Sequence, residues 1–131
     1  MRYVVVGLLL CLLIVSITHA QDEFIPTADY LPCRNGLPTG DVDGRTAFCG
    51  EVVMPMNRDN PNGAMVTIPF VVFKARSSNP QPDPVVYIIG GPGGATTPYP
   101  AFLMRPNFEF FREDRDFIMF DGRGNGNSRP S

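Results

Sequence analysis

Two short runs of β-branched and aromatic residues, each closed by a glycine-rich turn, set the strongest limit on how this chain can fold. The first runs Val85-Val86-Tyr87-Ile88-Ile89 into Gly90-Gly91-Pro92-Gly93-Gly94. The second runs Phe117-Ile118-Met119-Phe120 into Asp121-Gly122-Arg123-Gly124-Asn125-Gly126-Asn127-Ser128. A continuous apolar run that stops at glycine is the pattern of a strand buried on both faces, as in a parallel sheet. Between the two, Tyr99 to Asp114 is the one stretch with helical character. Phe102, Leu103, Phe110 and Phe111 could line one side of it, and Pro106 interrupts it. A strand, an irregular helix and a strand make a parallel crossover unit. The fold class expected is therefore α/β.

Upstream, Phe48 to Pro55 reads as a strand stopped by proline. Asn57 to Gly63 has the Asn, Asp, Pro and Gly density of a long hairpin loop, and Met65 to Lys74 reads as the returning strand. Pro69 inside that strand predicts an edge or a bulge, because proline cannot donate to a ladder. Gln21 to Thr46 is polar, turn-rich and weakly periodic, so it is expected to wrap an edge rather than build core.

Residues 1–20 read as a secretory signal peptide. Arg2 supplies the positive start, Tyr3 to Ile17 is uncharged and mostly apolar, and Thr18-His19-Ala20 ends on a small residue. A membrane anchor is the competing reading, but a spanning helix needs about 20 apolar residues. Leu10 before Cys11 argues against lipid attachment at that cysteine. The whole chain has 11 basic and 13 acidic residues. With Arg2 the only charge in the leader, the remainder carries 10 against 13, or −3. These charges are scattered, so neither a nucleic-acid partner nor stable membrane association after leader removal is expected.

Two cysteines remain beyond the leader, Cys33 and Cys49, and an even count in a secreted chain favours a disulfide over two free buried thiols. The only histidine, His19, lies inside the leader. Two sulfurs without a histidine do not make a zinc site, and no cofactor is expected. Gly122-Arg123-Gly124 could open a dinucleotide fingerprint, but Asn127 occupies the third glycine position and no Walker lysine follows. A remainder without histidine also cannot assemble a Ser-His-Asp triad by itself. Ser77, Ser78, Ser128 and Ser131 are available hydroxyls, yet none stands in a nucleophile elbow.

In sheets of this kind chemistry sits at the carboxyl ends of the strands, where both glycine turns lie. Gly90, Gly91 and Gly93 leave backbone amides open to a ligand oxygen. Such donors, aimed at a developing oxyanion, are worth about 2.7–4 kcal/mol each in acyl transfer. A tight turn that only glycine fits is the alternative. Asp121, Arg123, Gly124, Gly126 and Ser128 suit scaffold roles instead. Asp121 and Arg123 could pair or bond turn amides, the glycines could supply positive φ, and Ser128 could cap a following helix.

The ordered set of motifs resembles the secreted proline iminopeptidase and tripeptidyl-aminopeptidase branch of the α/β-hydrolases. It comprises Cys49-Gly50 before a strand ending at Pro55, a strand ending Lys74-Ala75-Arg76, then Gly90-Gly91-Pro92-Gly93, then the turn Asp121 to Ser128. The resemblance covers roughly Cys33 to Ser131. It implies a Ser-His-Asp peptidase in which the loop around Gly91 supplies one oxyanion donor, while the nucleophile elbow and the triad are absent from this chain. Ile89 stands where a histidine often precedes the loop, and Gly122 where glutamine is frequent. On this reading residues 21–131 form the N-terminal part of an incomplete α/β-hydrolase domain, an antiparallel hairpin followed by a parallel strand-helix-strand. A peptide would be the substrate of the longer parent. A non-catalytic secreted binding domain or pseudoenzyme, and an esterase or lipase on the same scaffold, are the other readings.

Overall fold

A computed structural model describes residues 24–104 and 106–130, with backbone alone at 102, 103, 106 and 107. The proposed leader and Ser131 lie outside the described residues, as do the side chains of Phe102 and Leu103. Five strands form one mixed sheet: β1 (Thr27–Leu31), β2 (Ala47–Pro55), β3 (Met65–Phe73), β4 (Val85–Tyr87) and β5 (Phe117–Phe120). Their spatial order is β1-β2-β3-β5-β4. All neighbours are antiparallel except β4 and β5, which run parallel. Between those two lie only short helices, α1 (Pro100–Leu103) and α2 (Pro106–Glu109), and a 3-10 turn at Phe110–Arg112. Among the described residues, no helix is long and apolar enough to cross a membrane.

The period-two pleat sorts side chains between the two faces. Cross-strand pairing aligns Ala47 with Phe73, Phe73 with Phe117 and Val71 with Met119 on one face. That face is the core, completed by Met104, with Leu37, Cys49, Val85, Tyr87 and Phe108 packed around it. The aromatic rings of Tyr87, Phe108 and Phe117 meet edge-on or stacked, at centroid separations of 5.2–6.3 Å. The opposite face carries half-buried Phe48, Phe70, Val72 and Ile118 and, nearer the start of β3, buried Val66 and Ile68.

Three elements differ from expectation. β1 was hidden in a stretch read only as an edge wrap. It does lie at an edge, but as a strand paired residue by residue with β2, and every one of its side chains is exposed. The run Val85 to Ile89 is not buried on both faces. Only three of its residues are strand, and Val86 and Ile88 are 50% and 72% exposed, because β4 is the other edge of the sheet. The helical stretch is split into two four-residue helices and a 3-10 turn, which leaves Phe110 and Phe111 exposed rather than aligned on a buried side.

Pro69 is neither on an outer strand nor in a bulge. It pairs with Glu51 of β2 on one side, and on the other it stands opposite the place where β5 has just ended. There it accepts a hydrogen bond from the Asp121 amide at 3.2 Å. An antiparallel pair of this type normally exchanges two bonds, and proline supplies one half of the exchange.

Gly50 shows why a glycine follows the cysteine. It is buried opposite Tyr30, and a Cβ added there would meet Phe70 Cζ at 2.5 Å. The Tyr30 ring packs edge-on to both Phe48 and Phe70, at 6.1 and 6.0 Å, and shields the gap.

Cys33 and Cys49 form the expected disulfide, with their Cα atoms 5.1 Å apart and 16 positions apart in sequence. It closes the loop that follows β1 onto β2. Replacing both cysteines with serine is expected to lower the unfolding free energy of the gene product by about 3 kcal/mol, the chain-entropy value for such a loop. Urea titration under non-reducing conditions measures this, and an unchanged midpoint would show that the bridge restrains nothing.

A buried ion pair was not anticipated. Arg112 and the Asp41 carboxylate have no exposed side-chain surface, and they meet through two hydrogen bonds of 2.9 and 2.8 Å. Arg112 Nε also donates to the Lys74 carbonyl at 3.2 Å, and its guanidinium lies 5.0 Å from the centre of the Phe73 ring. Burial by itself raises the Asp41 pKa. Hydrogen bonds from Arg112 and Thr46, with the charges of Arg112 and Arg76, outweigh it and hold the carboxyl below its ordinary value. Asp116 behaves alike: desolvation is offset by Lys74 and the Ala75 amide, and the pKa is again lowered.

Candidate functional site

The two glycine turns converge on one buried carboxylate. Asp121 follows β5 directly and is fully buried. Its Oδ1 accepts the Thr96 amide at 2.6 Å, the Thr97 amide at 2.9 Å and the Thr96 hydroxyl at 3.2 Å. Its Oδ2 accepts the Thr97 hydroxyl at 2.5 Å and the Asn127 amide at 2.9 Å. Thr96 and Thr97 follow the Gly90–Gly94 loop after Ala95 and are themselves buried. One carboxylate thus fastens the end of the first glycine turn to the second. Desolvation raises the Asp121 pKa, but bonds from the Asn127, Thr97 and Thr96 amides and the Thr97 hydroxyl prevail and lower it. The group is a permanent anion at neutral pH, used to hold backbone.

The Asp121–Ser128 turn is an excursion closed at both ends by one strand. Its first amide bonds Pro69, and just past its end Arg129 exchanges two bonds with Thr67, of 2.7 and 3.0 Å. Within the excursion the Ser128 hydroxyl accepts the Asn125 amide at 2.9 Å and donates to the Asn125 carbonyl at 2.8 Å. Ser128 therefore does not cap a helix among the described residues; it cross-links its own loop. Arg123 does not pair with Asp121 either. It reaches across to β2 and the hairpin, donating to the Met56 carbonyl at 2.7 Å and meeting the Met54 sulfur at 3.3 Å. Asp121 faces inward and is saturated by amides and hydroxyls, so the arginine two residues on points elsewhere.

Gly124 and Gly126 adopt φ of 73° and 57°. At Gly126 the demand is doubled, because an added Cβ would meet Asp121 Cγ at 2.6 Å and Ala95 Cβ at 2.8 Å. Gly126→Ala is expected to destabilise the protein by about 2 kcal/mol, from left-handed strain plus displacement of the carboxylate. Gly124→Ala, with no atom within 4 Å of the added carbon, is expected to cost about 1 kcal/mol from strain alone. Thermal melts of the two variants compare them, and equal losses would mean that the Asp121 contact carries no weight.

The Gly90–Gly94 loop leaves the carboxyl end of β4. Gly91 and Gly93 hold φ of 82° and 79°, and Gly90, Gly91 and Gly93 are exposed with open space at each Cα. Its internal bond is a long one, from the Gly94 amide to the Gly91 carbonyl at 3.4 Å. Among the described residues, the amides of Gly91 and Gly93 donate to no backbone carbonyl. Two such exposed amides can receive an anionic oxygen.

On the core side of the sheet a cleft of about 420 Å³ borders the Asp121–Ser128 turn rather than the Gly90–Gly94 loop, lined in part by Asn35, Thr97, Gly126, Asn127 and Ser128. Among the described residues, no three His, Cys, Asp or Glu side chains gather to hold a metal. Thr96, Thr97, Asn35 and Asn127 were not foreseen from sequence. The hydroxyl pair two positions past Gly94 was the available signal, since buried Thr-Thr after a glycine loop needs an acceptor.

At the level of sequence, this chain is similar to part of a serine protease. Over 114 residues, 86% of its length, the chain is 28% identical to the serine protease Hip1 of Mycobacterium tuberculosis. The match to the serine protease Hip1 of Mycobacterium bovis has the same extent and identity. The chain spans about a fifth of these relatives, 21% of their length. No protein-family model matches it.

Proposed function

We propose that this chain is the N-terminal portion of a secreted serine hydrolase, an aminopeptidase of the proline iminopeptidase or tripeptidyl-aminopeptidase kind. In this reading residues 1–20 are a removable leader, and residues 21–131 begin an α/β-hydrolase domain. The parent cleaves peptides by Ser-His-Asp acyl transfer without a cofactor, and the triad comes from sequence outside this chain. Backbone amides of the Gly90, Gly91 and Gly93 loop, Gly91 foremost, receive the oxyanion. Asp121, Arg123, Gly124, Gly126 and Ser128 form the scaffold beneath.

The observation that carries the reading is the exposed loop with positive φ at Gly91 and Gly93, tied at its far end to buried Asp121. An oxyanion site needs donors that are already oriented and do not reorganise during reaction. An exposed glycine loop meets that need only if its base is fixed, and the Asp121 bonds fix it. The similarity to the serine protease Hip1 supports the same class of chemistry, and the disulfide fits an oxidising compartment.

The test is fluorophosphonate labelling of the gene product in its native medium, detected with an antibody to this segment. A labelled band well above 14.4 kDa, competed by an aminoacyl or tripeptidyl anilide, is the expected result. A segment-positive product that never takes the label would overturn the hydrolase reading. Label competed by short acyl esters but not by peptide anilides would move it to an esterase.

A further inference from the structure

We infer that Asn35 is a positioning residue for the glycine loop: it ties the disulfide-closed Cys33–Cys49 loop to the Thr97 carbonyl and so sets where Gly90–Gly94 stands. The inference rests on reading that loop as the oxyanion holder. Asn35 Nδ2 donates to the Thr97 carbonyl at 2.7 Å, across 62 positions of sequence. Thr97 is 4% exposed, so its carbonyl needs a protein partner. Its other polar atoms are all served from the opposite side. The amide and hydroxyl bond Asp121, and the hydroxyl also accepts from Asn127 Nδ2 at 3.1 Å. Among the described residues, Asn35 therefore brings the one hydrogen bond to Thr97 that comes from the N-terminal segment.

The following residue strengthens the point. Pro98 has no amide hydrogen, so the peptide plane after Thr97 cannot be held by its own N–H. The proline ring fixes φ on its own side of that plane, and the hydrogen bond that holds the carbonyl oxygen in place comes from Asn35. The gripping residue is itself well fixed. It lies two residues from Cys33, whose sulfur bonds Cys49 and whose amide donates to Asp43 at 2.9 Å. Further along the same loop, Asp41 is locked by buried Arg112. Upstream, the glycine loop leaves the three-residue edge strand β4. Its downstream anchor is Thr96-Thr97, and Asn35 fixes one side of that anchor.

The test uses Asn35→Asp and Asn35→Ala in the full gene product, read by amide hydrogen exchange of peptides covering 88–98. At pH 7 the isosteric Asn35→Asp lacks the donor and sets a carboxylate against a carbonyl. Exchange in 88–98 is expected to rise about tenfold over wild type in both variants, with β2 and β3 peptides unchanged. Near pH 4, where a carboxyl of ordinary pKa of about 3.9 begins to protonate, Asn35→Asp regains an O–H donor. Its ratio to wild type at matched pH should fall, while that of Asn35→Ala stays high. A space-filling role predicts instead that Asn35→Asp matches wild type at both pH values, and that result overturns the tie. A raised ratio that acid does not reverse overturns it as well. Should Asn35→Ala fail to fold, the two-pH comparison on Asn35→Asp decides alone. Fluorophosphonate labelling of the same wild-type sample separates the two readings. A labelled protein whose 88–98 exchange ignores Asn35→Asp sinks the tie alone, and an unlabelled protein with acid-reversible exchange sinks the hydrolase reading alone.

Discussion

Replacing Arg112 with methionine is expected to cost about 3–5 kcal/mol of folding free energy, the range for breaking a buried ion pair from one side. Methionine fills much of the arginine volume and keeps an apolar contact with Phe73, so the loss is chiefly electrostatic. Asp41 Oδ2 and the Lys74 carbonyl lose the donor that Arg112 gave them, and Asp41 Oδ1 is left with the Thr46 hydroxyl at 2.9 Å. Arg76, 3.6 Å from Asp41 with its side chain 43% exposed, is too distant and too well solvated to substitute. The companion variant, Asp41→Asn with Arg112→Met, removes the stranded charge and is expected to recover more than half of the loss. Urea unfolding of the wild type, both single variants and the double variant closes the cycle. Additive losses would show that the pair is not coupled and would remove the account given of it.

Asp121→Asn should be nearly as damaging, about 3–4 kcal/mol, although it alters no shape. The carboxylate accepts five hydrogen bonds. An amide can present one oxygen to the Thr96 and Thr97 amides, but its nitrogen then faces the Asn127 N–H donor to donor. Charge-assisted bonds are worth about 1.5–3 kcal/mol each, and a buried unpaired donor costs about 1–3 kcal/mol. The pH dependence separates this cause from a packing defect. The folded pKa of Asp121 is depressed, so its contribution is complete above the unfolded value near 4 and is lost as pH falls through the folded value. The gap between wild type and Asp121→Asn should stay constant from neutral pH to about pH 4 and narrow below it. Asp41 and Asp116 are depressed too but are shared by both proteins, so they cancel in the difference. A gap independent of pH down to pH 2 would refute the carboxylate's role.

The sheet was legible in sequence where side-chain type and punctuation agreed. β2, β3 and their Asn57–Gly63 hairpin are marked by β-branched runs between turn residues, and β5 by four apolar residues before a glycine turn. β1 was illegible because Thr27–Leu31 contacts solvent throughout and is held by backbone pairing, which leaves no alternation to read. β4 was overestimated because Val86 and Ile88 are as apolar as buried residues and nothing local reports an edge position. The site was half legible. The two glycine turns announce themselves, but Asp121 meets Thr96 and Thr97 across about 25 residues, and Asn35 meets Thr97 across 62. Arg112 and Asp41 are 71 apart. Partners at such separations are chosen by topology, and a single sequence carries no periodicity that reveals them.

Pro69 gives the turn after β5 its address. Nothing in Phe117-Ile118-Met119-Phe120 says where that strand must stop, and the aspartate that follows could have continued the ladder. The stop is written on the neighbouring strand, about fifty positions earlier in the chain. A ring with no hydrogen to give leaves Asp121 with a single backbone bond to that neighbour. From there the polypeptide is released, and it is taken back only at Thr67. The interval between those two footholds on β3 frames the excursion that brings Asp121 under the glycine loop. In this molecule the point at which the Asp121–Ser128 turn leaves the sheet is marked by a proline on the neighbouring strand, through one bond to the first amide of that turn.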